Sequence, residues 1–280
     1  MKEIRILHVI PKFSTGGAER LVINLMEATD KERFNVAAVS LYPESGTINE
    51  KEIREKGLKV FYLNKHLGLD LGMIPELYRL FRTFQPDVIH THLYVLRYAL
   101  LPALIFRIPV RVHTFHTIAQ REVDQIGKLV HWIAFRLADV VPVSISRAVA
   151  ETAQAVYGPN IHTPVIYNGI PIKRFVSNED RNYSKSENKV ILLHVGRFAH
   201  AKNHQLLIES FAQAVKEYPK MQLWLIGDGS LRPAIERLVK EKGLDEDVLF
   251  IGEVPNVEDF LADSDIFVLS SDWEGLGIGK

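Results

Sequence analysis

Residues 190–226 read "VILLHVGRFAHAKNHQLLIESFAQAVKEYPKMQLWLI", and this stretch decides the fold class. Val190–Val195 and Met221–Ile226 are short, β-rich apolar runs, and Asn203–Tyr218 between them has the apolar spacing of a helix. A strand, a helix and a second strand in this order form a parallel β-α-β unit. The stretch therefore predicts an α/β domain.

The same alternation of strand-like and helix-like segments runs through the whole chain, as is typical of doubly wound parallel sheets rather than of sandwiches or bundles. The other predicted strands are Ile4–Ile10, Asn35–Leu41, Leu58–Leu63, Asp87–His90, Val110–Phe115, Val140–Val143, Val248–Ile251 and Ile266–Leu269. The other predicted helices are Ala18–Thr29, Thr47–Lys56, Ile74–Phe84, Tyr94–Phe106, Val123–Leu137, Ser146–Tyr157, Leu231–Lys242 and Val257–Ala262. Both halves are therefore expected to be Rossmann-like.

A polar segment, "PIKRFVSNEDRNYSKSENK" at residues 171–189, separates the two halves. It is poor in aliphatic residues and indicates a linker. The predicted division is an N-terminal domain at 1–172, a linker at 173–188 and a C-terminal domain at 189–280. After the last predicted strand comes the glycine-rich "SSDWEGLGIGK", with no helix to cover the sheet, so the second domain is expected to be incomplete.

Composition narrows the class of protein. The chain has 280 residues, 47% of them hydrophobic, which is enough for a packed core in each of two domains. The 34 basic residues balance the 34 acidic ones, so no overall positive field attracts nucleic acid. Cysteine is absent, which excludes disulfides and cysteine nucleophiles and fits a reducing compartment. With no recognisable export signal, we expect a cytoplasmic protein.

The most membrane-like segment is Leu93–Val110, but Arg97, Pro102 and Arg107 interrupt it. It is also short for a membrane span, so it predicts a buried or interfacial helix. Peripheral contact of this region with the inner face of a membrane stays open.

Ligands of doubly wound sheets bind beyond the carboxyl ends of the strands. Gly16 and Gly17 follow the first strand and precede a helix, where backbone N–H groups could approach a phosphate. His116 follows the fifth strand. Arg197 and Lys202 follow the strand Val190–Val195 just before a helix, which predicts an anionic ligand there.

Three other patterns are weaker. His90 and His92 form an H-x-H, but no carboxylate or third histidine follows at short range, so no zinc site is predicted. Two D-x-D matches, at 245–247 and 263–265, precede strands and are interpreted as solvated turns. Gly227-Asp-Gly229 resembles the start of a dinucleotide fingerprint, but its third glycine is missing.

Four motifs in order resemble those of the family 4 glycosyltransferases, which are retaining enzymes of the GT-B architecture. "GGAER" resembles the N-terminal glycine loop of the family and "TFHT" its histidine. "GRFAHAKN" is similar to its R-x4-K element, with Arg197 and Lys202 in register. "WEGLGI" is similar to the start of its E-x7-E element, with Glu274 as the first glutamate.

The resemblance implies that Arg197 and Lys202 hold the diphosphate of a UDP- or GDP-linked sugar, because preorganised cations stabilise the charge of the leaving group. It implies further roles in binding and catalysis. Backbone groups of Gly16, Gly17, Gly275, Leu276 and Gly277 would contact the diphosphate, His116 and Glu274 the sugar hydroxyls, and Val254 the base. The N-terminal domain would bind a sugar, lipid or small-molecule acceptor. No metal ion or other cofactor is implied.

One departure from the family leaves alternatives open. The second glutamate of the E-x7-E element would fall at position 282, beyond the last residue, so truncation within the C-terminal domain is expected. A catalytically impaired fragment that binds nucleotide or pairs with a partner is one alternative. A nucleotide-sugar epimerase of the same fold is another.

Overall fold

The computed structural model describes residues 3–175 and 189–275. Two compact units divide the chain between Ile170 and Pro171, and the second extends to Glu274. Most of the predicted linker, 173–188, lies outside the described residues. A short 3-10 turn at Ile172–Phe175 precedes that part.

The described residues contain ten strands and ten α-helices. The strands are β1 Ile4–Ile10, β2 Phe34–Ser40, β3 Val60–Tyr62, β4 Val88–His92, β5 Val110–Phe115, β6 Val140–Ser144, β7 Val190–Val195, β8 Met221–Ile226, β9 Val248–Gly252 and β10 Ile266–Phe267. The helices are α1 Gly17–Ala28, α2 Ile48–Glu55, α3 Met73–Phe84, α4 Leu96–Ile105, α5 Ala119–Glu122, α6 Gln125–Leu137, α7 Arg147–Tyr157, α8 His204–Glu217, α9 Arg232–Glu241 and α10 Val257–Asp263.

The first unit contains a six-stranded sheet in the order β3-β2-β1-β4-β5-β6, and all its strands are parallel. The chain moves outward from β1 to β3 and then returns to the other side of β1 with β4. The predicted doubly wound sheet is therefore confirmed for this unit. The reversal of strand order lies between β1 and β4, where His8 pairs with His90.

The second unit contains a parallel sheet in the order β10-β7-β8-β9, four strands among the described residues. Here the reversal of strand order lies between β7 and β10. The α/β prediction holds for this unit too, and Val190–Val195 and Met221–Ile226 have the predicted bounds.

Alternation along the strands explains why both faces of each sheet are covered. In β8, Leu223 and Leu225 face a core with Phe211 of α8, whereas Trp224 and Ile226 face a core on the opposite side. Successive side chains of a strand point to opposite faces, and parallel sheets bury both of them. These near-continuous apolar runs therefore need helices on each side.

Two predicted helices differ from the structure. A 3-10 turn at Leu93–Val95 replaces the start of the helix predicted at 94–106, so α4 begins at Leu96. Leu93 in this turn adopts a positive φ of 59°. The segment 123–137 begins later, since Val123 is extended and Asp124 caps α6 by accepting a hydrogen bond from the Gly127 N–H. Side-chain capping, not apolar spacing, sets that boundary.

The predicted strand Ile266–Leu269 shortens to the two residues of β10. The backbone N–H of Val268 still donates to the carbonyl of Leu193 at 2.8 Å, so the chain remains beside β7 as it leaves the sheet. Among the described residues, no helix has both the length and the apolarity that a membrane crossing requires.

Candidate functional site

The site predicted in the second unit lies at the reversal of strand order, between β7 and β10. Open α/β sheets bind ligands at this point, outside the carboxyl ends of the strands. Arg197 and Lys202 belong to the turn that follows β7, and Glu274 belongs to the segment that follows β10. The structure therefore brings these three predicted residues to one edge of one sheet.

Arg197 and Lys202 differ in their surroundings. Arg197 is exposed, and its guanidinium forms no hydrogen bond or ion pair with any residue in 3–175 or 189–275. Lys202 is partly buried, and its Nζ lies 2.5 Å from Oε1 of Glu274. Arg197 therefore carries an uncompensated positive charge, whereas Glu274 balances that of Lys202.

Glu274 is held in its ionised form. Its partial burial opposes ionisation, but hydrogen bonds from Lys202 and Ser271, together with the charge of Lys202, outweigh this and lower its pKa. The Ser271 hydroxyl donates to Oε1 at 2.5 Å, the same oxygen that Lys202 contacts. Oε2 is therefore left to accept further hydrogen bonds.

Hydrogen bonds fasten the segment after β10 to the turn after β7. The Ser270 hydroxyl donates to the carbonyl of Lys202 at 2.8 Å, and the Asn203 amide donates to the carboxylate of Asp272 at 2.8 Å. Asn203 also caps α8, because its side-chain oxygen accepts from the Leu206 N–H. The backbone that carries Lys202 is thus fixed from both sides.

Gly227 and Gly229 form part of the same turn structure. Gly227 has a φ of +128°, and a Cβ placed there would lie 2.2 Å from the carbonyl oxygen of Gly196. A Cβ at Gly229, with a φ of +158°, would lie 2.5 Å from the carbonyl oxygen of Phe198. These glycines therefore let the β8–α9 turn pack against the backbone that presents Arg197. The sequence comparison with a dinucleotide fingerprint did not reveal this role.

The other predicted contacts of the second unit are only partly described. Val254 is half-buried and packs its side chain against an apolar cluster that includes Ile191 and Phe260. Gly275 follows Glu274 directly, whereas Leu276 and Gly277 lie outside the described residues. Roles for these four residues in binding stay predictions.

The D-x-D residues lie at the opposite, amino-terminal edge of the second sheet. Asp247 accepts a hydrogen bond from Lys189 at 3.3 Å, and the Asp265 carboxylate accepts one from the Ile191 N–H at 2.9 Å. Asp265 therefore fastens the start of β7 to that of the neighbouring β10, and Asp247 links the residue before β7 to the residue before β9.

In the first unit, Gly16 and Gly17 lie at the start of α1. Gly16 is the N-terminal cap residue, and a Cβ there would approach the carboxylate of Glu19. The Ser14 hydroxyl donates to Glu19 at 2.7 Å, so this buried carboxylate already occupies the positive end of the helix. A phosphate-binding role for the two glycines stays a prediction.

His116 belongs to a row of imidazoles at the reversal of strand order of the first sheet. Its Nε2 lies 2.9 Å from Nδ1 of His92, and Nε2 of His92 lies 3.2 Å from Nδ1 of His8. His90 stands beside them, with its ring centroid 4.2 Å from that of His92. The sequence analysis named His116, His90 and His92 but not His8. His8 and His92 are 84 positions apart in the chain and come together only because β1 and β4 are neighbouring strands.

All four imidazoles are neutral near pH 7. Burial lowers the pKa of His8 to about 4, and burial with the nearby His113 lowers that of His116 to about 3. Burial first, and then the neighbouring imidazoles, hold the pKa values of His90 and His92 well below 6.5. The row can therefore donate and accept hydrogen bonds but carries no charge.

A separate buried histidine, His131, makes the stability of the first unit depend on pH. Burial lowers the pKa of His131 to about 2, whereas an unfolded histidine titrates near 6.5. The unfolded chain therefore binds more protons below pH 6.5, and stability falls as the pH falls. For one histidine that stays neutral in the fold, the loss between pH 7 and pH 5 is about 2 kcal/mol.

We expect the variant His131→Phe to lose this part of the pH dependence, because phenylalanine does not titrate. Between pH 7 and pH 5, its free energy of unfolding relative to the wild type should rise by about 2 kcal/mol. Urea unfolding at the two pH values measures this difference. Burial raises the pKa of Glu122, but this carboxyl contributes equally to the pH dependence of both proteins. His162→Asn, at an exposed position, is the control. An unchanged difference for His131→Phe contradicts the assignment.

Comparisons with known proteins identify the family of this chain. The family model described as Glycosyltransferase Family 4 matches residues 15–174, and that described as Glycosyl transferases group 1 matches residues 176–279. The capsular polysaccharide biosynthesis glycosyltransferase CapH of Staphylococcus aureus is 26% identical over 98% of this chain and 76% of its own length.

Two further similarities concern a relative and a solved structure. The UDP-Gal:alpha-D-GlcNAc-diphosphoundecaprenol alpha-1,3-galactosyltransferase of Escherichia coli is 23% identical over 98% of this chain and 75% of its own. A crystal structure of HepE of Anabaena in complex with UDP and glucose is similar with a TM-score of 0.80 and 21% identity, over 96% of this chain and 74% of that one. The chain thus spans about three quarters of these proteins.

Proposed function

Because this chain belongs to glycosyltransferase family 4 and has its GT-B fold class, we propose that it transfers a sugar from a nucleotide-diphosphate donor with retention and without a metal ion. That it is a glycosyltransferase, an enzyme, follows from its family. The donor, the stereochemistry and the residue roles are the proposal. The observation that carries it is the presence of two cations at the strand reversal of the second sheet. These are Arg197, whose guanidinium has no partner among the described residues, and Lys202.

The charges of this turn suit a diphosphate. The guanidinium of Arg197 can hold two phosphate oxygens at once. Lys202 has three N–H donors and uses one for Glu274, so it can donate to phosphate as well. As the glycosidic bond breaks, the diphosphate gains negative charge, and both cations stabilise the leaving group. This is the role for which other enzymes employ a metal ion.

Glu274 and the neighbouring backbone would complete the donor site. The free Oε2 of Glu274 would accept hydrogen bonds from sugar hydroxyls. Backbone groups of Val254 would contact the base, and those of Gly275, Leu276 and Gly277 the diphosphate. UDP or GDP would serve as the nucleotide, and the UDP in the similar HepE structure supports uridine.

Retention without a covalent glycosyl-enzyme intermediate requires attack on the face from which the diphosphate leaves. In this arrangement a phosphate oxygen accepts the proton of the acceptor hydroxyl, so no carboxylate nucleophile is needed. The test is incubation with UDP- and GDP-linked sugars and oligosaccharide or lipid-linked acceptors, with the anomeric configuration of the product read by NMR. A product of inverted configuration, or transfer that requires added Mg²⁺ or Mn²⁺, would overturn the proposal.

A lipid-linked acceptor is supported by the surface of the first unit and by the diphosphoundecaprenol in the name of the E. coli relative. Neighbouring helices α4 and α6 expose large apolar side chains on the same side of the sheet. These are Leu101, Leu104 and Ile105 on α4 and Ile126, Leu129 and Trp132 on α6. This surface, which we call the α4–α6 face, would contact the membrane peripherally, beside a lipid-linked substrate.

The double variant Leu129→Gln/Trp132→Gln should therefore bind phospholipid vesicles about tenfold more weakly than the wild type, because two exposed apolar side chains no longer enter the interface. Co-sedimentation with vesicles of phosphatidylglycerol and phosphatidylcholine measures this. Leu206→Gln replaces a similarly exposed leucine in the second unit and serves as the control. Equal binding of all three proteins rules out the α4–α6 face as the contact.

A further inference from the structure

Three histidines at the strand reversal of the first sheet form a group with no assigned role. His8 lies on β1, and His90 and His92 lie on β4, the strand beside it. His8 and His90 are paired in register, and the two-residue period of a strand puts His92 on the same face as His90. Ligand-binding residues of doubly wound sheets concentrate at this reversal of strand order.

We infer that His8, His90 and His92 form a binding site for a divalent transition-metal ion such as Zn²⁺ or Co²⁺, separate from the proposed diphosphate site. One nitrogen from each ring can be chosen so that all three lie within 4.8 Å of one another. Nδ1 of His8 and Nε2 of His92 are already 3.2 Å apart, the separation of two ligands on one tetrahedral ion. The separations to the His90 nitrogen are at most 4.8 Å, and they must shorten toward this value for one ion to bind all three rings.

The second nitrogen of two of these rings supports this arrangement. In metal sites the nitrogen that does not bind the ion usually donates to a neighbouring acceptor, which fixes the ring. Here Nε2 of His90 lies 2.7 Å from the Thr114 hydroxyl, which leaves Nδ1 for the ion. Nδ1 of His92 lies 2.9 Å from Nε2 of His116, which leaves Nε2 for the ion.

The donor set selects the class of ion. Three imidazoles without a carboxylate or a thiolate suit Zn²⁺, Co²⁺, Ni²⁺ or Cu²⁺ rather than Mg²⁺ or Ca²⁺, which prefer oxygen. His8 and His92 are buried, whereas His90 is half-buried and gives access from solvent. A tetrahedral ion would keep one position for water.

The ion would also determine the tautomer of His116. An ion on Nε2 of His92 leaves the proton of that ring on Nδ1, which then donates to Nε2 of His116. His116 must in turn carry its own proton on Nδ1. No third ligand lies close to His90 and His92 in the chain, so no zinc site was predicted, but His8 lies beside them on the neighbouring strand.

The site is tested on the untagged 280-residue protein after treatment with a chelator. Titration with Co²⁺ should produce the visible absorption of a tetrahedral ion at one equivalent per chain. Zn²⁺ calorimetry should show affinity at least 30-fold weaker in His90→Asn and in His92→Asn. His162→Asn, an exposed histidine, should bind like the wild type. These measurements need no sugar donor, so their outcome is independent of the proposed transfer reaction.

Two results would overturn the inference: no stoichiometric binding to the wild type, or unchanged affinity in folded His90→Asn and His92→Asn proteins. Thermal unfolding by circular dichroism checks the fold of each variant. If neither variant folds, wild-type crystals soaked in Zn²⁺ decide. An anomalous peak within bonding distance of the three rings supports the site, and its absence contradicts it.

Discussion

Lys202→Ala is expected to bind a nucleoside diphosphate about 30- to 1000-fold more weakly than the wild type. Removing one partner of a charge-assisted contact in a desolvated site loses about 2 to 4 kcal/mol. The variant also leaves the ionised Glu274 without its partner at 2.5 Å, so an uncompensated carboxylate faces the incoming anion. Isothermal calorimetry with UDP and GDP measures the loss.

Two further variants separate binding from folding. Lys240→Ala removes an exposed lysine of the same unit and should leave the affinity unchanged. The double variant Lys202→Ala/Glu274→Ala removes both charges, so it should regain thermal stability relative to Lys202→Ala but not nucleotide affinity. Wild-type affinity in Lys202→Ala would exclude this lysine from the diphosphate site.

Gly227→Ala should destabilise the second unit by roughly 3 kcal/mol or more, because the new methyl group meets backbone that cannot move aside. Its Cβ would lie 2.2 Å from the carbonyl oxygen of Gly196, at a φ of +128°. Relief of this clash would displace the turn that carries Arg197. We therefore expect loss of nucleotide binding together with loss of stability.

Gly243→Ala is the matched control. Gly243 also has a positive φ, +68°, but a Cβ there meets no atom within 4 Å. Only the backbone preference is lost, at about 1 kcal/mol. Urea unfolding measures the free energy of unfolding of Gly227→Ala and Gly243→Ala relative to the wild type. Equal destabilisation would show that the contact between the turns after β7 and β8 is not tight.

The strands were predicted well because each depends on its own apolar run. Val190–Val195 and Met221–Ile226 are surrounded by core on both faces, so their composition alone indicates buried parallel strands. Boundaries set by single side chains were harder to predict. The α6 boundary depends on the cap at Asp124, and β10 is shorter because only its first two residues complete the ladder.

Candidate site residues could be named from the sequence only where they are close in the chain or belong to a recognised motif. Arg197 and Lys202 share one turn, and Glu274 begins a family motif. His8 and the packing role of Gly227 depend on contacts between separate strands and turns, at 84 residues for His8 and His92. Such contacts follow from strand order, which local spacing does not reveal.

The most direct test of the account compares the affinities of UDP and UMP by calorimetry, for the wild type and for Arg197→Ala/Lys202→Ala. If these two cations hold the second phosphate, UDP should bind the wild type at least about tenfold more tightly than UMP. In the double variant the two nucleotides should bind equally. Equal affinities in the wild type, or a preference for UDP that persists in the double variant, would contradict the assignment of the diphosphate to this turn.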